Sequence, residues 1–172
     1  MRFEQLDGAI HDRQSFQCRN QPTLEHYFKE IVTQDIKGNF SRCYVGVNDS
    51  EKPILIGYYT LSSYSLSKSD IPEGSGIKRR PYLHSPVTLM GRLAVDDRHQ
   101  RKRYGEALLM DALKRSYDNG KIIGSIAVVL DYIDENARTF YSRYGFIEIP
   151  NANNKQMFLP MKTIESLVSR HL

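Results

Sequence analysis

The stretch from Pro86 to Glu106 constrains this chain more than any other. Residues 86–95 form a largely apolar run, including Val87, Leu89, Met90, Leu93, Ala94 and Val95, which is the pattern of a central strand covered on both faces. The charged segment Asp96-Asp97-Arg98-His99-Gln100-Arg101-Lys102-Arg103 follows, and then Ala107, Leu108, Met110, Ala112 and Leu113 recur at helical spacing. Lys114 and Arg115 lie towards the far end of that helix, where positive charge suits its dipole, and Asn119-Gly120 predicts its stop. A strand buried on both faces requires helices packed over a sheet, so the fold class is α/β in the broad sense that includes α+β.

The flanking sequence supplies the other layers. Asn20-Gln21-Pro22 predicts the cap of an early helix with Leu24, Tyr27, Phe28, Ile31 and Val32 on its inner face and Gly38 as its stop. Cys43, Val45 and Val47 alternate with neighbours, and the polar turn at residues 48–53 leads to a β-rich run over 54–61, an antiparallel hairpin. Residues 67–80 read as a long loop that ends in Lys78-Arg79-Arg80. After the central helix the pattern predicts a strand over 122–130 and a helix capped by Asp134 that closes at Gly145. Two short strands over 146–149 and 155–161 then enclose a turn at 151–154. The sum is a mixed sheet flanked by helices, with 172 residues forming a single domain over 1–172.

Several classes of protein are excluded or disfavoured. With 40% hydrophobic and 26% charged residues the chain can build a core, and no apolar run approaches the roughly 18 to 20 residues of a membrane span. The start, Met1-Arg2-Phe3-Glu4-Gln5, lacks the apolar run of a secretory signal, so the cytoplasm is the expected location. Cys18 and Cys43 are expected to be reduced thiols, and no metal-ligating cluster is expected. The net charge of +4 permits an anionic partner without specifying one.

Chemistry concentrates where the central strand gives way to its helix. The first backbone N–H groups of a helix have no intrahelical acceptors and lie at the positive end of the dipole, so this turn can hold phosphate. An ordinary solvated strand-to-helix loop accounts for the same residues equally well at this point. Gln100-Arg101-Lys102-Arg103-Tyr104-Gly105, however, resembles the acetyl-CoA signature of the GNAT N-acetyltransferases: Arg or Gln, two residues, Gly, one residue, Gly or Ala. Arg92-Leu93-Ala94-Val95 is similar to that family's central strand, and Asn136 through Phe146, with Phe140-Tyr141 ahead of Gly145-Phe146, is similar to its late helix.

The likeness extends from Phe16 to Met161 and narrows to the acetyltransferase toxins of bacterial toxin-antitoxin pairs. It is carried by Phe16-Gln17-Cys18, Leu24-Glu25-His26-Tyr27-Phe28, Ser41-Arg42-Cys43-Tyr44-Val45 and Gly57-Tyr58-Tyr59-Thr60-Leu61-Ser62. That resemblance implies a GNAT fold with a twisted, mostly antiparallel sheet. It implies acetyl-CoA as cofactor, bound by Leu93, Ala94, Val95, Gln100, Arg101, Lys102, Arg103, Tyr104, Gly105 and Glu106, with Asn136 and Phe140 from the late helix.

It further implies Tyr141 as the acid that protonates the departing thiolate, and backbone N–H groups around Leu93 and Val95 as donors to the oxyanion. The substrate implied is the α-amine of aminoacyl-tRNA, so that acetylation stops translation, and the partner implied is a ribbon-helix-helix antitoxin. A homodimer is compatible with this. Lys78, Arg79, Arg80 and Arg92 are the candidate RNA-binding cations.

No carboxylate or histidine stands out as general base, and Glu30 and Asp35 read as a solvated helix face. An α-amine, with a pKa of about 7.7 to 8.0 against about 10.4 for lysine, needs little help to lose its proton. The sequence departs from the family at one place: the first signature glycine falls on Arg103. Either the arginines offset the lost close approach with charge, or the cofactor binds weakly. Two other readings stay open here, a general N-acetyltransferase for a small amine or protein N-terminus, and a GNAT-fold binding module without catalysis.

Overall fold

The computed structural model describes residues 1–78, 80–150 and 155–169, so Arg79 and the turn expected at 151–154 lie outside the described residues. Seven strands form one mixed sheet: β1 (Arg2–Gln5), β2 (Arg42–Val47), β3 (Leu55–Ser67), β4 (His84–Val95), β5 (Ala127–Asp131), β6 (Ile147–Glu148) and β7 (Gln156–Pro160). They lie in the order β1-β2-β3-β4-β5-β7-β6. The pairs β1–β2, β2–β3, β5–β7 and β6–β7 are antiparallel, whereas β4 pairs with β5 in parallel through Thr88–Val128, Leu89–Val129 and Met90–Leu130. The helices are α1 (Pro22–His26), α2 (Val32–Lys37), α3 (Tyr104–Ile122), α4 (Glu135–Ser142) and α5 (Met161–Ser169).

The chain groups into two compact units. One comprises Met1–Ser62 with Gly91–Ala112, and the other Ser63–Met90 with Leu113–Leu172. In the first, Phe16, Phe28 and Tyr58 form an aromatic nucleus with ring centroids 4.3 to 5.5 Å apart. Cys43, Val45 and Val47 of β2 add the inward side chains that the alternation predicted. A π-helical turn, Tyr27–Ile31, joins α1 to α2, and the side chain of Arg13 donates to the carbonyls of Phe28 and Lys29 in that wide turn. Both cysteines are buried free thiols.

In the second unit, Leu66, Val87, Ala127, Val129, Ile149 and Phe158 form the core. Asp134 caps α4 as expected, its Oδ1 accepting from the Ala137 N–H at 2.8 Å, and Gly145 adopts a φ of 88° after the helix.

Several boundaries differ from the sequence reading. Helix α3 does not stop at Asn119-Gly120 but continues to Ile122, where the Ile123 N–H still bonds Asn119 O at 2.8 Å. A glycine inside a helix costs only about 1 kcal/mol, and Gly120 faces Met161 of α5 closely. Strand β5 therefore begins at Ala127 rather than 122. The last strand ends at Pro160, because Met161 opens α5, its N–H held by Ile126 O at 2.9 Å. Strand β3 runs on to Ser67, past the expected 61, and strand β1 and helix α5 were not anticipated. No helix among the described residues is long and apolar enough to cross a membrane.

Candidate active site

The candidate residues divide between the two units: Arg92 to Glu106 stand in the first, and Lys78, Arg80, Asn136, Phe140 and Tyr141 in the second.

In the first unit, β4 is held at its end by close backbone packing. A Cβ on Gly57 of β3 would lie 2.6 Å from Ala94 O and 2.5 Å from Leu108 Cδ1, so only glycine permits this approach of β3 to β4 and α3. The Asp96 N–H then bonds Ile56 O at 2.9 Å. Asp96 is fully buried and accepts from the backbone N–H groups of Gln17 and Arg98, both at 2.9 Å, while the Arg98 guanidinium grips it with two bonds of 2.7 and 2.8 Å. Burial pushes this carboxyl up, but the bonds from Arg98 and Gln17 outweigh it, and the net shift is downward. Arg98 also donates to Ser15 O, so one ion pair anchors the start of the loop to the N-terminal segment. Its signal in the sequence was an Asp two residues before an Arg, too common a spacing to single out.

The signature follows. Gln100 turns its amide back on the loop, donating to Asp97 Oδ1 at 3.1 Å and Val95 O at 3.4 Å. Arg101 and Arg103 both adopt left-handed backbone conformations, each with a φ of 61°, on either side of Lys102. Such alternation turns successive N–H groups towards one concavity, an anion-binding nest. Helix α3 starts at once: the Ala107 N–H makes a bond to Arg103 O at 3.2 Å, and the amides of Tyr104, Gly105 and Glu106 precede it in the first turn.

Arg101, Lys102 and Arg103 are exposed; the Arg103 side chain is 90% exposed and reaches Glu106 only at 3.8 Å. The backbone thus keeps the conformation that a glycine would favour at 103, and the arginine side chain stands in solvent. The loop is a backbone concavity bordered by exposed cations, the arrangement that the first of the two alternatives at Arg103 calls for. These residues suit the pyrophosphate of acetyl-CoA. Tyr104 meets His99 edge-on at 6.1 Å, and His99 has its pKa lowered, first by burial and then by Lys102 and Arg98.

Arg92 is not a free rim cation. Its guanidinium carbon stacks 3.5 Å from the centre of the Tyr27 ring, whose hydroxyl donates to Asp35 Oδ2 at 2.8 Å. Burial raises the Tyr27 phenol to about 12. Asp35 is therefore part of a hydrogen-bonded pair and not a solvated helix face, whereas Glu30 is exposed as expected.

In the second unit, Tyr141 lies on α4 with 7% of its surface exposed, its ring edge-on to Phe140 at 5.1 Å and to Phe146 at 5.6 Å. Burial raises the phenol above its ordinary value, so the hydroxyl stays protonated across the neutral range. No hydrogen bond joins that hydroxyl to another described residue. Asn136 is exposed and Phe140 half-buried. Lys78 and Arg80 are exposed and border a cavity. No His, Cys, Asp or Glu cluster among the described residues could hold a metal ion.

Comparison with known proteins gives this geometry its context. Residues 40–148 match the acetyltransferase (GNAT) domain family. The chain is 33% identical to a probable toxin TacT of Sinorhizobium fredii, over 96% of this chain and 94% of that protein. It is 32% identical to a tRNA-acetylating toxin of Mycobacterium tuberculosis, over 86% of each. AtaT, solved complexed with acetyl-methionyl-tRNAfMet, matches with a TM-score of 0.87 and 27% identity over 96% of this chain and 98% of that one. A structure of AtaTR bound with AcCoA matches with a TM-score of 0.84 and 28% identity, over 96% of each chain. A signature loop with two left-handed residues at the entry to α3, a seven-stranded mixed sheet and sequence likeness over nearly the whole length lead to one assignment: the chain belongs to the GNAT acetyltransferase family.

Proposed function

We propose that this chain is the toxin of a toxin-antitoxin pair, an acetyl-CoA-dependent N-acetyltransferase that acetylates the α-amine of aminoacyl-tRNA and so blocks translation. The observation that carries the reading is the left-handed pair Arg101 and Arg103 at the entry to α3, in a chain that matches a tRNA-acetylating toxin over 86% of its length. Acetyl-CoA, when bound, supplies an activated acetyl thioester. The amides of Lys102 to Glu106 hold its pyrophosphate, with Arg101, Lys102 and Arg103 adding charge. Backbone N–H groups near Leu93 and Val95 face the carbonyl oxygen as it gains negative charge.

The reaction forms a bond from the amine nitrogen to the acetyl carbon and breaks the carbon–sulfur bond. Tyr141 gives its proton to the departing sulfur, a role its raised pKa permits at neutral pH. The α-amine, with a pKa of about 7.7 to 8.0, is roughly a tenth neutral near pH 7 and attacks in that form; its nitrogen gives up the surplus proton to water as the amide forms, and the Tyr141 phenolate regains a proton from solvent. Lys78, Arg79 and Arg80 meet RNA phosphates in this scheme, while Arg92, stacked on Tyr27, keeps only its outward N–H groups for that role. A ribbon-helix-helix antitoxin is the partner that restrains the enzyme, and the cytoplasm, where charged tRNA is found, is its place of action.

The test is incubation with labelled acetyl-CoA and total charged tRNA. Label on the amino group of one or more aminoacyl-tRNAs, absent from deacylated tRNA, is the expected result. Label on polyamines or protein N-termini in place of tRNA would overturn the substrate assignment.

A further inference from the structure

The second unit contains a cavity of about 660 Å³, of whose lining the scheme above uses only Lys78 and Arg80. Its walls come from the segment before β4, the residue ahead of β5 and the first turn of α5. Four cations line it, Lys68, Lys78, Arg80 and Lys162, and no aspartate or glutamate does. None of these four side chains forms an ion pair with a described residue. The floor is apolar, from Ile71, Ile77, Ile126 and Met161. A 2.9 Å bond between the Met161 N–H and Ile126 O ties the start of α5 to the residue ahead of β5. At the rim stands Tyr82, 68% exposed.

The four cations are exposed and solvated; gathered around an apolar floor they repel one another mildly, and an anion with a flat apolar part satisfies both the charges and the floor. Four charges exceed what a single phosphate monoester neutralises, and an exposed tyrosine offers a stacking face that tolerates any base. We propose that this cavity is a nucleotide slot for an unpaired segment of the RNA substrate, with a base on the apolar floor, its neighbour on Tyr82, and successive phosphates on the four cations. The inference deepens the tRNA reading and rests on it. It gives the enzyme a hold on the body of the RNA that is separate in sequence from the signature following the other end of β4.

The test uses equilibrium binding of deacylated tRNA to the full chain, read by fluorescence anisotropy at several salt concentrations, which requires no catalysis. The variants are the pair Lys68→Ala with Lys162→Ala, Tyr82→Ala, and the charge-preserving pair Lys68→Arg with Lys162→Arg. The alanine pair is expected to weaken binding about tenfold and to lower the log–log salt slope by about 1.4, as loss of two contacts to single-stranded phosphate predicts. Tyr82→Ala is expected to weaken binding with the slope unchanged, and the arginine pair to bind as the parent does. Acetyl-CoA binding by calorimetry serves as the folding control and stays constant in all of them.

Unchanged tRNA affinity and slope in the alanine variants would overturn the slot. So would tight binding of ADP that the alanine pair abolishes while tRNA binding is unaltered, since the cavity would then serve a free nucleotide. Should the parent acetylate no charged tRNA yet bind RNA through these residues, the catalytic reading fails and the slot stands.

Discussion

Arg103 carries a left-handed backbone that costs an L-residue with a side chain roughly 1 to 2 kcal/mol. Arg103→Gly relieves this, although the freer unfolded chain offsets part of the gain. The expected outcome is a stabilisation of up to about 1 kcal/mol, read as a melting-temperature rise of about 2 to 4 °C. Acetyl-CoA affinity is expected to stay within a few-fold, because the proposed cradle is built from amides and the Arg103 side chain stands in solvent; calorimetry checks this. For Tyr141→Phe, kcat should fall about 10²- to 10⁴-fold while acetyl-CoA affinity holds, since only the proton donor is removed. Because burial raises the phenol, the parent's rate should show no decline from loss of this acid between pH 7 and 9. A fall in kcat with an apparent pKa near 8 would remove Tyr141 from the role. Tyr141 stood out as a candidate acid only through the family resemblance, since on its own it is an aromatic packed between Phe140 and Phe146.

At the level of elements, β3, β4 and α3 meet at Gly57, where a methyl group has nowhere to go. Gly57→Ala is expected to cost about 1 to 3 kcal/mol in denaturant unfolding, the range for overpacking, because one of the two clashing atoms is backbone. Asp96 with Arg98 ties the end of β4 to the N-terminal segment. Its folded pKa lies below the unfolded value of about 3.9, so its stabilisation is present above that pH and is lost as the pH falls through the folded value. Asp96→Asn should therefore cost about 2 kcal/mol at pH 7 and progressively less below pH 4; parallel urea titrations at both pH values measure it.

The elements with strong periodicity or clear caps, α4 with Asp134 and β2 with its alternating core, were legible in the sequence. The π-turn at Tyr27–Ile31 was not, because Leu24, Tyr27, Phe28, Ile31 and Val32 satisfy an ordinary helical stripe and the carbonyl donor, Arg13, is remote in sequence. Nor was α5, since a strand ending in Pro160-Met161 reads as apolar continuation until the Ile126 carbonyl fixes the turn.

For the whole molecule, the positive balance of 24 Lys and Arg over 20 Asp and Glu matters through its distribution. Binding of tRNA is expected to weaken steeply with added salt, whereas acetyl-CoA, for which the proposed hold is largely backbone amides at the signature, should respond far less; paired titrations from about 50 to about 200 mM salt compare them. The candidate site was legible in the sequence as the 92–106 segment, where a buried strand runs into a helix. The stacking of Arg92 on Tyr27 was hidden, for it depends on a contact between residues 65 positions apart.

The boundaries between the two compact units fall inside β3, β4 and α3, not in linkers. The polypeptide passes from one to the other three times in mid-element. No single cut of the gene therefore yields either half with all its segments: a fragment ending near residue 90 lacks strands of one and the helical part of the other. Attempts to express an isolated cofactor-binding or acid-bearing portion should give insoluble product, and a split reporter would have to be rejoined by complementation of both pieces.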